Sequence, residues 1–63
     1  MRYEYFISYA HDGGFGNSSV TLEQKIDGYE LLLEIAKKIT KDCNFNSQII
    51  ILNFILLKEI KWY

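Results

Sequence analysis

Residues 49–57 read IIILNFILL, and this stretch limits the possible folds more than any other part of the chain. Every residue in it except Asn53 is large and apolar. Such a run is compatible with a buried helix, but its isoleucine content and the preceding turn-forming segment Asn44–Ser47 favour a strand. We therefore expect a strand over Ser47–Leu57. Because this strand has no polar face, it needs cover on both sides.

Two further strands are predicted upstream, joined by a glycine-rich loop. Segment Arg2–Ala10 is rich in Tyr, Phe and Ile, which suit a pleated surface. Alternation places four apolar side chains on one face of it: Tyr3, Tyr5, Ile7 and Tyr9. His11–Asn17 contains three glycines and predicts a hairpin loop. Ser18–Gln24 then alternates apolar and polar residues as the second strand.

A helix is predicted to begin at Asp27. The sequence Asp27-Gly28-Tyr29-Glu30 has the form of a capping box in which Asp27 is the N-cap. An apolar stripe follows at helical spacing: Leu32, Ile35, Ala36, Ile39 and Cys43. Asn44, a residue type that tolerates the left-handed conformation, is expected to terminate the helix.

The order β-β-α-β predicts an α+β fold: one domain over residues 1–63, with a three-stranded, mainly antiparallel sheet and one helix packed on one face. The third strand can pair with the first, giving the spatial order 2-1-3. It can also pair with the second through a right-handed crossover. We favour the first arrangement, because it places the aromatic strand in the centre.

Composition excludes several classes of protein. The formal net charge of −1 argues against a strongly basic nucleic-acid binder. A single cysteine cannot form an intramolecular disulfide. No apolar run approaches the roughly 20 residues of a membrane-spanning helix. The N-terminus lacks the pattern of a signal peptide, so we expect the cytoplasm.

Few residues suggest catalysis or metal binding. His11 and Asp12 could form an acid–base pair, but turn residues are commoner in this setting, and only serines stand near as nucleophiles. Cys43 lacks the partners that a tetrahedral metal site needs. We therefore predict a non-enzymatic protein without a cofactor or a metal.

Surplus apolar surface predicts self-association. One helix covers one face of the sheet, and monomers rarely expose a contiguous apolar patch larger than a few hundred Å². Two-fold dimers are the commonest oligomers, so we expect a homodimer. Its predicted interface is Tyr5, Ile49, Ile51, Asn53, Ile55 and Trp62.

The glycine loop predicts a second contact surface, for a partner protein. Phe15 stands between glycines, so within the loop it has little neighbouring side chain to pack against. It either folds back on the sheet or is offered to a partner, and the second outcome is preferred. The predicted partner-binding residues are His11, Asp12, Gly14, Phe15 and Gly16.

These features resemble small proteins carried by phages and prophages of A/T-rich Gram-positive bacteria. The resemblance rests on the aromatic first strand, the hairpin at Gly14–Asn17, the capped helix and the Asn53-Phe54 strand. Some proteins of that group inhibit antiphage systems, including anti-CRISPR and Hachiman or Thoeris anti-defence proteins. The resemblance implies a protein that binds and inhibits a host defence protein in the bacterial cytoplasm.

Two other functions remain open from the sequence. The tyrosine-rich face could stack single-stranded bases as a nucleic-acid-binding module, although such platforms need an accompanying basic groove. Alternatively, a dimer could act as a sponge for a nucleotide signalling molecule held at the glycine loop.

Overall fold

The computed structural model describes residues 1–61. They form strand β1 (Arg2–His11), strand β2 (Gly14–Leu22), helix α1 (Tyr29–Asp42) and strand β3 (Ile50–Ile60). The sheet order is β2-β1-β3, and both neighbouring pairs are antiparallel. The predicted β-β-α-β fold is confirmed, and so is the central position of the aromatic strand.

The hairpin turn is shorter than predicted. Ala10 pairs with Phe15 and His11 with Gly14, so the turn itself is Asp12-Gly13. The glycine-rich segment is therefore largely part of β2, and Phe15 is a strand residue rather than the tip of a loop. Gly14 adopts φ +143°, a conformation that residues with a Cβ rarely take, which explains the glycine at this position.

The helix begins two residues after Asp27, and the predicted capping box is wrong. Gly28 is the N-cap, with extended backbone at φ −174°, and no side chain hydrogen-bonds to the first turn. Because Asp27 lies one residue before the cap, its carboxylate is not at the position that caps a helix. The first turn still carries an acidic residue, Glu30, at the positive end of the helix dipole.

The helix ends at Asp42 with Cys43 as its C-cap, and Asn44, the expected terminator, takes the left-handed position directly after the cap. This residue has φ +58°, and its N–H donates to the Lys41 carbonyl at 3.1 Å. The next N–H, from Phe45, donates to the Thr40 carbonyl at 3.0 Å. This pair of bonds is a Schellman motif, which satisfies carbonyls that the helix leaves without partners. Cys43 is exposed beyond the last helical residue, so its predicted place in the buried stripe is wrong.

The core lies between α1 and the face of the sheet that carries the tyrosines of β1. Its buried members are Tyr5, Ile7, Tyr9, Ile35, Ala36, Ile39 and Ile49. Two hydrogen bonds tie connecting segments to this core. Tyr5 Oη accepts from the Ile26 N–H at 3.0 Å, and Thr40 Oγ1 accepts from the Ile49 N–H at 3.0 Å. The second bond fixes the start of β3 against the helix.

Strand β3 does not alternate regularly. Its pairing with β1 shifts twice, which leaves Leu52 and Leu57 as extra residues. Each bulge reverses which later positions face the helix, because alternation resumes one residue out of step. Opposite residues of an antiparallel pair share a face, so Ile51 and Phe54, which pair with Tyr9 and Ile7, lie on the helix side.

Candidate protein-binding surface

The side of the sheet away from α1, here called the open face, carries a row of three apolar residues at one end. Ala10 lies in the middle of this row, paired with Phe15 on β2 and with Ile50 on β3. Phe15 is 81% exposed and Ile50 is 67% exposed. We call these three residues the Phe15 row. It is the apolar part of the open face that the rest of the chain covers least.

The rest of the open face alternates in polarity along the strands. The register places three more rows across the sheet: Asn17, Ser8 and Asn53; then Ser19, Phe6 and Ile55; then Thr21, Glu4 and Lys58. In the last row, Lys58 Nζ lies 4.0 Å from Glu4 Oε1. The row of Asn17, Ser8 and Asn53 therefore separates the Phe15 row from the other apolar residues of the open face. The charged side chains of Glu4 and Lys58 lie at the far end of this face.

Phe15 is exposed because its neighbours offer nothing to pack on. Across the strand pair it meets only the methyl group of Ala10, and Gly14 and Gly16 flank it along the chain. The structure therefore excludes the arrangement in which Phe15 folds back on the sheet. The backbone of Phe15 nevertheless belongs to a strand paired with β1, so the ring projects from an ordered position.

His11 and Asp12 have partners inside the chain. The His11 ring stacks on Phe45 with 4.5 Å between centroids and 14° between planes, and its Nδ1 accepts from the Gly13 N–H at 3.1 Å. Asp12 Oδ1 accepts from Ser47 Oγ at 2.6 Å. Both side chains thus anchor the hairpin turn to the segment after α1. We therefore assign them to the fold and remove them from the candidate surface.

A second exposed apolar region follows β3 on both faces of the sheet. Six of its large apolar residues are exposed, on average by about half: Ile50, Leu52, Phe54, Ile55, Leu56 and Leu57. Phe54 packs edge-on against Tyr5, with 5.9 Å between ring centroids, yet it is still 36% exposed. The helix side of β3 is therefore only partly covered by α1.

The residues predicted for a dimer interface divide into four groups. Tyr5 and Ile49 are 4% and 3% exposed, so their expected place on an open face is wrong. Ile51 is half-buried on the helix side, because the bulge at Leu52 separates it from the later odd-numbered positions. Asn53 and Ile55 are exposed on the open face. Trp62 lies outside the described residues.

Asn53, the one polar residue of the apolar run 49–57, is not a buried polar group. Its side chain is exposed, and Oδ1 accepts from the N–H of the next residue, Phe54, at 2.8 Å. A local bond of this kind satisfies the amide without a partner from another element.

Tyr9 and Cys43 meet near the end of α1. Burial raises the pKa of the Tyr9 hydroxyl, and interaction with the neighbouring Cys43 side chain raises that pKa further. The phenol therefore stays neutral at physiological pH and acts as a packing residue. Tyr5 and Tyr9 are both buried against the helix, so the tyrosine face predicted to stack nucleic-acid bases is not accessible.

An apolar cleft that the sequence analysis did not predict lies between the start of α1 and the start of β3. It has a volume of about 180 Å³ and is bordered by Tyr29, Leu33, Ala36 and Ile50, among others. The three helical residues recur at spacings of four and three, which is the signal that could have placed them on one face. Ile50 connects this cleft to the Phe15 row.

Within residues 1–61, no cluster of three His, Cys, Asp or Glu side chains is placed to hold a metal ion. The single helix of this part of the chain is too short and too polar to cross a membrane. In the comparisons with known proteins, no family model, curated protein or solved structure matches the chain.

Proposed function

We propose that this protein is a non-enzymatic binding module that engages a protein partner through the Phe15 row, with Phe15 as the anchor. The observation that carries the proposal is an aromatic side chain that is 81% exposed on a paired strand. Aromatic anchors often dominate the energy of protein interfaces. A strand also keeps such an anchor in place before binding, which lowers the entropy lost on association.

The chemistry of the surface favours a protein over a nucleic acid. Among the described residues, the Phe15 row carries no charged side chain, and the two cations of the open face, Arg2 and Lys58, lie at its far end. Nucleic-acid surfaces combine aromatic rings with a basic groove. An apolar patch beside a polar row resembles instead the core and rim of a protein interface.

The exposed apolar surface could supply part of the energy of an interface. Burying a large apolar side chain contributes about 1.5–3 kcal/mol, and Phe15 and Ile50 are 81% and 67% exposed. Scaled by these exposures, the two side chains together could supply about 2–4 kcal/mol. Neighbouring polar contacts from Asn17 and Asn53 would then provide orientation.

The resemblance to phage proteins supports a host antiphage defence protein as the partner. Inhibition would follow from occupying a surface that the defence protein needs, and it would require no chemistry from this chain. The bacterial cytoplasm is the compartment that such a role requires.

The test is a plating assay in bacteria that express one antiphage defence system at a time. Co-expression of the wild-type chain is expected to restore plaque formation against the system that it inhibits. Phe15→Ala is expected to abolish that rescue, whereas Thr21→Ala, exposed at the far end of the same face, is expected to retain it. Equal rescue by both variants would remove Phe15 from the partner surface, and no rescue against any system would contradict the proposed class of partner.

A further inference from the structure

We propose that the outer edge of β3 pairs with the same strand of a second copy, antiparallel about a two-fold axis at Ile55. The product is a six-stranded sheet in the order β2-β1-β3-β3-β1-β2, with both helices on one side. Such a pairing would be the form taken by the self-association that the sequence predicts. It uses the edge of β3, which shares only Ile50 with the Phe15 row, and it does not depend on the proposed partner.

The outer edge of β3 has a composition that suits pairing with another strand. Within residues 1–61, β3 pairs with β1 alone, so no strand lies along its other edge, although the Phe54 N–H is bonded to Asn53 Oδ1. The segment Ile50–Leu57 contains no charged residue and no proline. Lysines, prolines and covering helices are the usual means by which proteins protect such edges. The two bulges leave the stretch Asn53–Leu56 between them in regular register with β1.

The position of the two-fold axis at Ile55 follows from the face of the sheet on which each β3 residue lies. Around an axis perpendicular to the sheet, each residue must lie opposite a residue of the same face. An axis at Ile55 places Phe54 of one copy opposite Leu56 of the other, both on the helix side where they remain 36% and 39% exposed. Ile55 then meets its own copy on the open face, and Ile55 is also the midpoint of the eleven residues of β3.

Charge and area favour a second copy as the occupant. In this register Lys58 and Glu59 lie opposite Leu52 and Ile51, so no like charges face each other across the new ladder. Lys58 and Glu59 also already have partners within the chain, Glu4 at 4.0 Å and Lys25 at 3.6 Å. An uncharged strand is self-complementary, as a two-fold interface requires.

The edge is also large enough for a stable dimer. Eleven strand residues span about 36 Å, close to the 40 Å long axis of the molecule, whose other extents are 19 and 18 Å. The projected area of this side of the molecule is therefore at most roughly 650 Å², within the roughly 600–1,000 Å² per partner of standard interfaces.

Disulfide trapping tests the register. In a Cys43→Ser background, Ile55→Cys would place two cysteines directly opposite each other, about 4.5–5.5 Å apart at Cα, which lies within the Cα separations that disulfides span. The control is Ile50→Cys, whose two copies would be separated by ten residue steps, about 33 Å. Mild oxidation should cross-link the Ile55→Cys chain into a dimer and leave the Ile50→Cys chain monomeric on a non-reducing gel. Equal cross-linking, or cross-linking of the control alone, would overturn the proposed register.

Sedimentation velocity tests the pairing itself. Ile55→Lys would place like charges on the axis and remove an apolar contact, so the dimer Kd should rise by about tenfold to a hundredfold. Mixing this chain with Ile55→Glu should restore dimers. Thr21→Lys, on the open face of β2, and Phe15→Ala should leave the Kd unchanged, with circular dichroism checking that each variant is folded. A wild-type chain that stays monomeric, or an unchanged Kd for Ile55→Lys, would overturn the proposal whether or not Phe15 binds a partner.

Discussion

The ring of Tyr9 lies directly over Gly16 on the neighbouring strand. The two residues are paired across β1 and β2, and a Cβ at Gly16 would stand 2.8 Å from both Cζ and Oη of Tyr9. Gly16 is therefore required by the close approach of an aromatic ring, and it does not have a positive φ. Aromatic rings that cover a cross-strand glycine are a known means of stabilising sheets.

This contact predicts that Gly16→Ala destabilises the fold. The buried Tyr9 ring would have to move, and overpacking of this kind costs about 1–3 kcal/mol. Ser19→Ala is the matched control, because its side chain is exposed on the same strand. Urea denaturation of both variants would measure the difference in unfolding free energy. Equal midpoints would contradict the packing role of Gly16.

The start of the helix offers a second prediction. Because Asp27 makes no cap, Asp27→Ala should change stability by no more than about 0.5 kcal/mol, the range of surface substitutions. Gly28→Ser places a hydroxyl at the actual N-cap and should stabilise the protein by a few tenths of a kcal/mol. Thermal melts followed by circular dichroism would check both. A loss of about 1 kcal/mol in Asp27→Ala would mean that its carboxylate caps the helix after all.

The end of the helix predicts a contrast at Asn44. The left-handed conformation costs an ordinary residue about 1–2 kcal/mol, so Asn44→Ala should destabilise the protein by about 1 kcal/mol. Asn44→Gly should retain or raise stability, because glycine adopts φ +58° readily. Chemical denaturation of the two variants side by side is the measurement. The opposite order of midpoints would be inconsistent with the Schellman motif.

Thr40 is a residue whose hydroxyl links helix and sheet. It accepts from the Ile49 N–H at 3.0 Å and donates to the Ala36 carbonyl at 2.7 Å. Thr40→Val keeps the shape and leaves that N–H without its acceptor, which should cost about 1–3 kcal/mol. Thr21→Val, at an exposed strand position, is the control and should be close to neutral. A neutral Thr40→Val would show that the start of β3 does not need this bond.

Local patterns predicted the elements and their order, because each depends on neighbouring residues. The aromatic alternation of β1, the helical stripe around Ile35 and Ile39, and Asn44 as the helix terminator are all of this kind. The position of the hairpin turn could also have been predicted from the sequence. Asp12-Gly13 between apolar strands is a strong hairpin signal, but the three nearby glycines suggested a longer loop.

The face of each strand residue could not be predicted in the same way. It depends on register, and the bulges at Leu52 and Leu57 arise from how β3 fits against β1 rather than from any local motif. For this reason Tyr5 and Ile49 were expected at an interface and lie in the core. The exposure of Phe15 followed from its glycine neighbours, whereas its alignment with Ala10 and Ile50 followed only from the pairing of three strands.

The central claim is that the apolar surface of Phe15 is available to a partner and contributes little to the core. The direct measurement is the unfolding free energy of Phe15→Ala against wild type, by chemical denaturation at a concentration where the oligomeric state is the same. With 81% of the residue exposed, we predict a change within about 0.5 kcal/mol. A loss of roughly 3 kcal/mol or more, as core aromatic truncations give, would contradict the account.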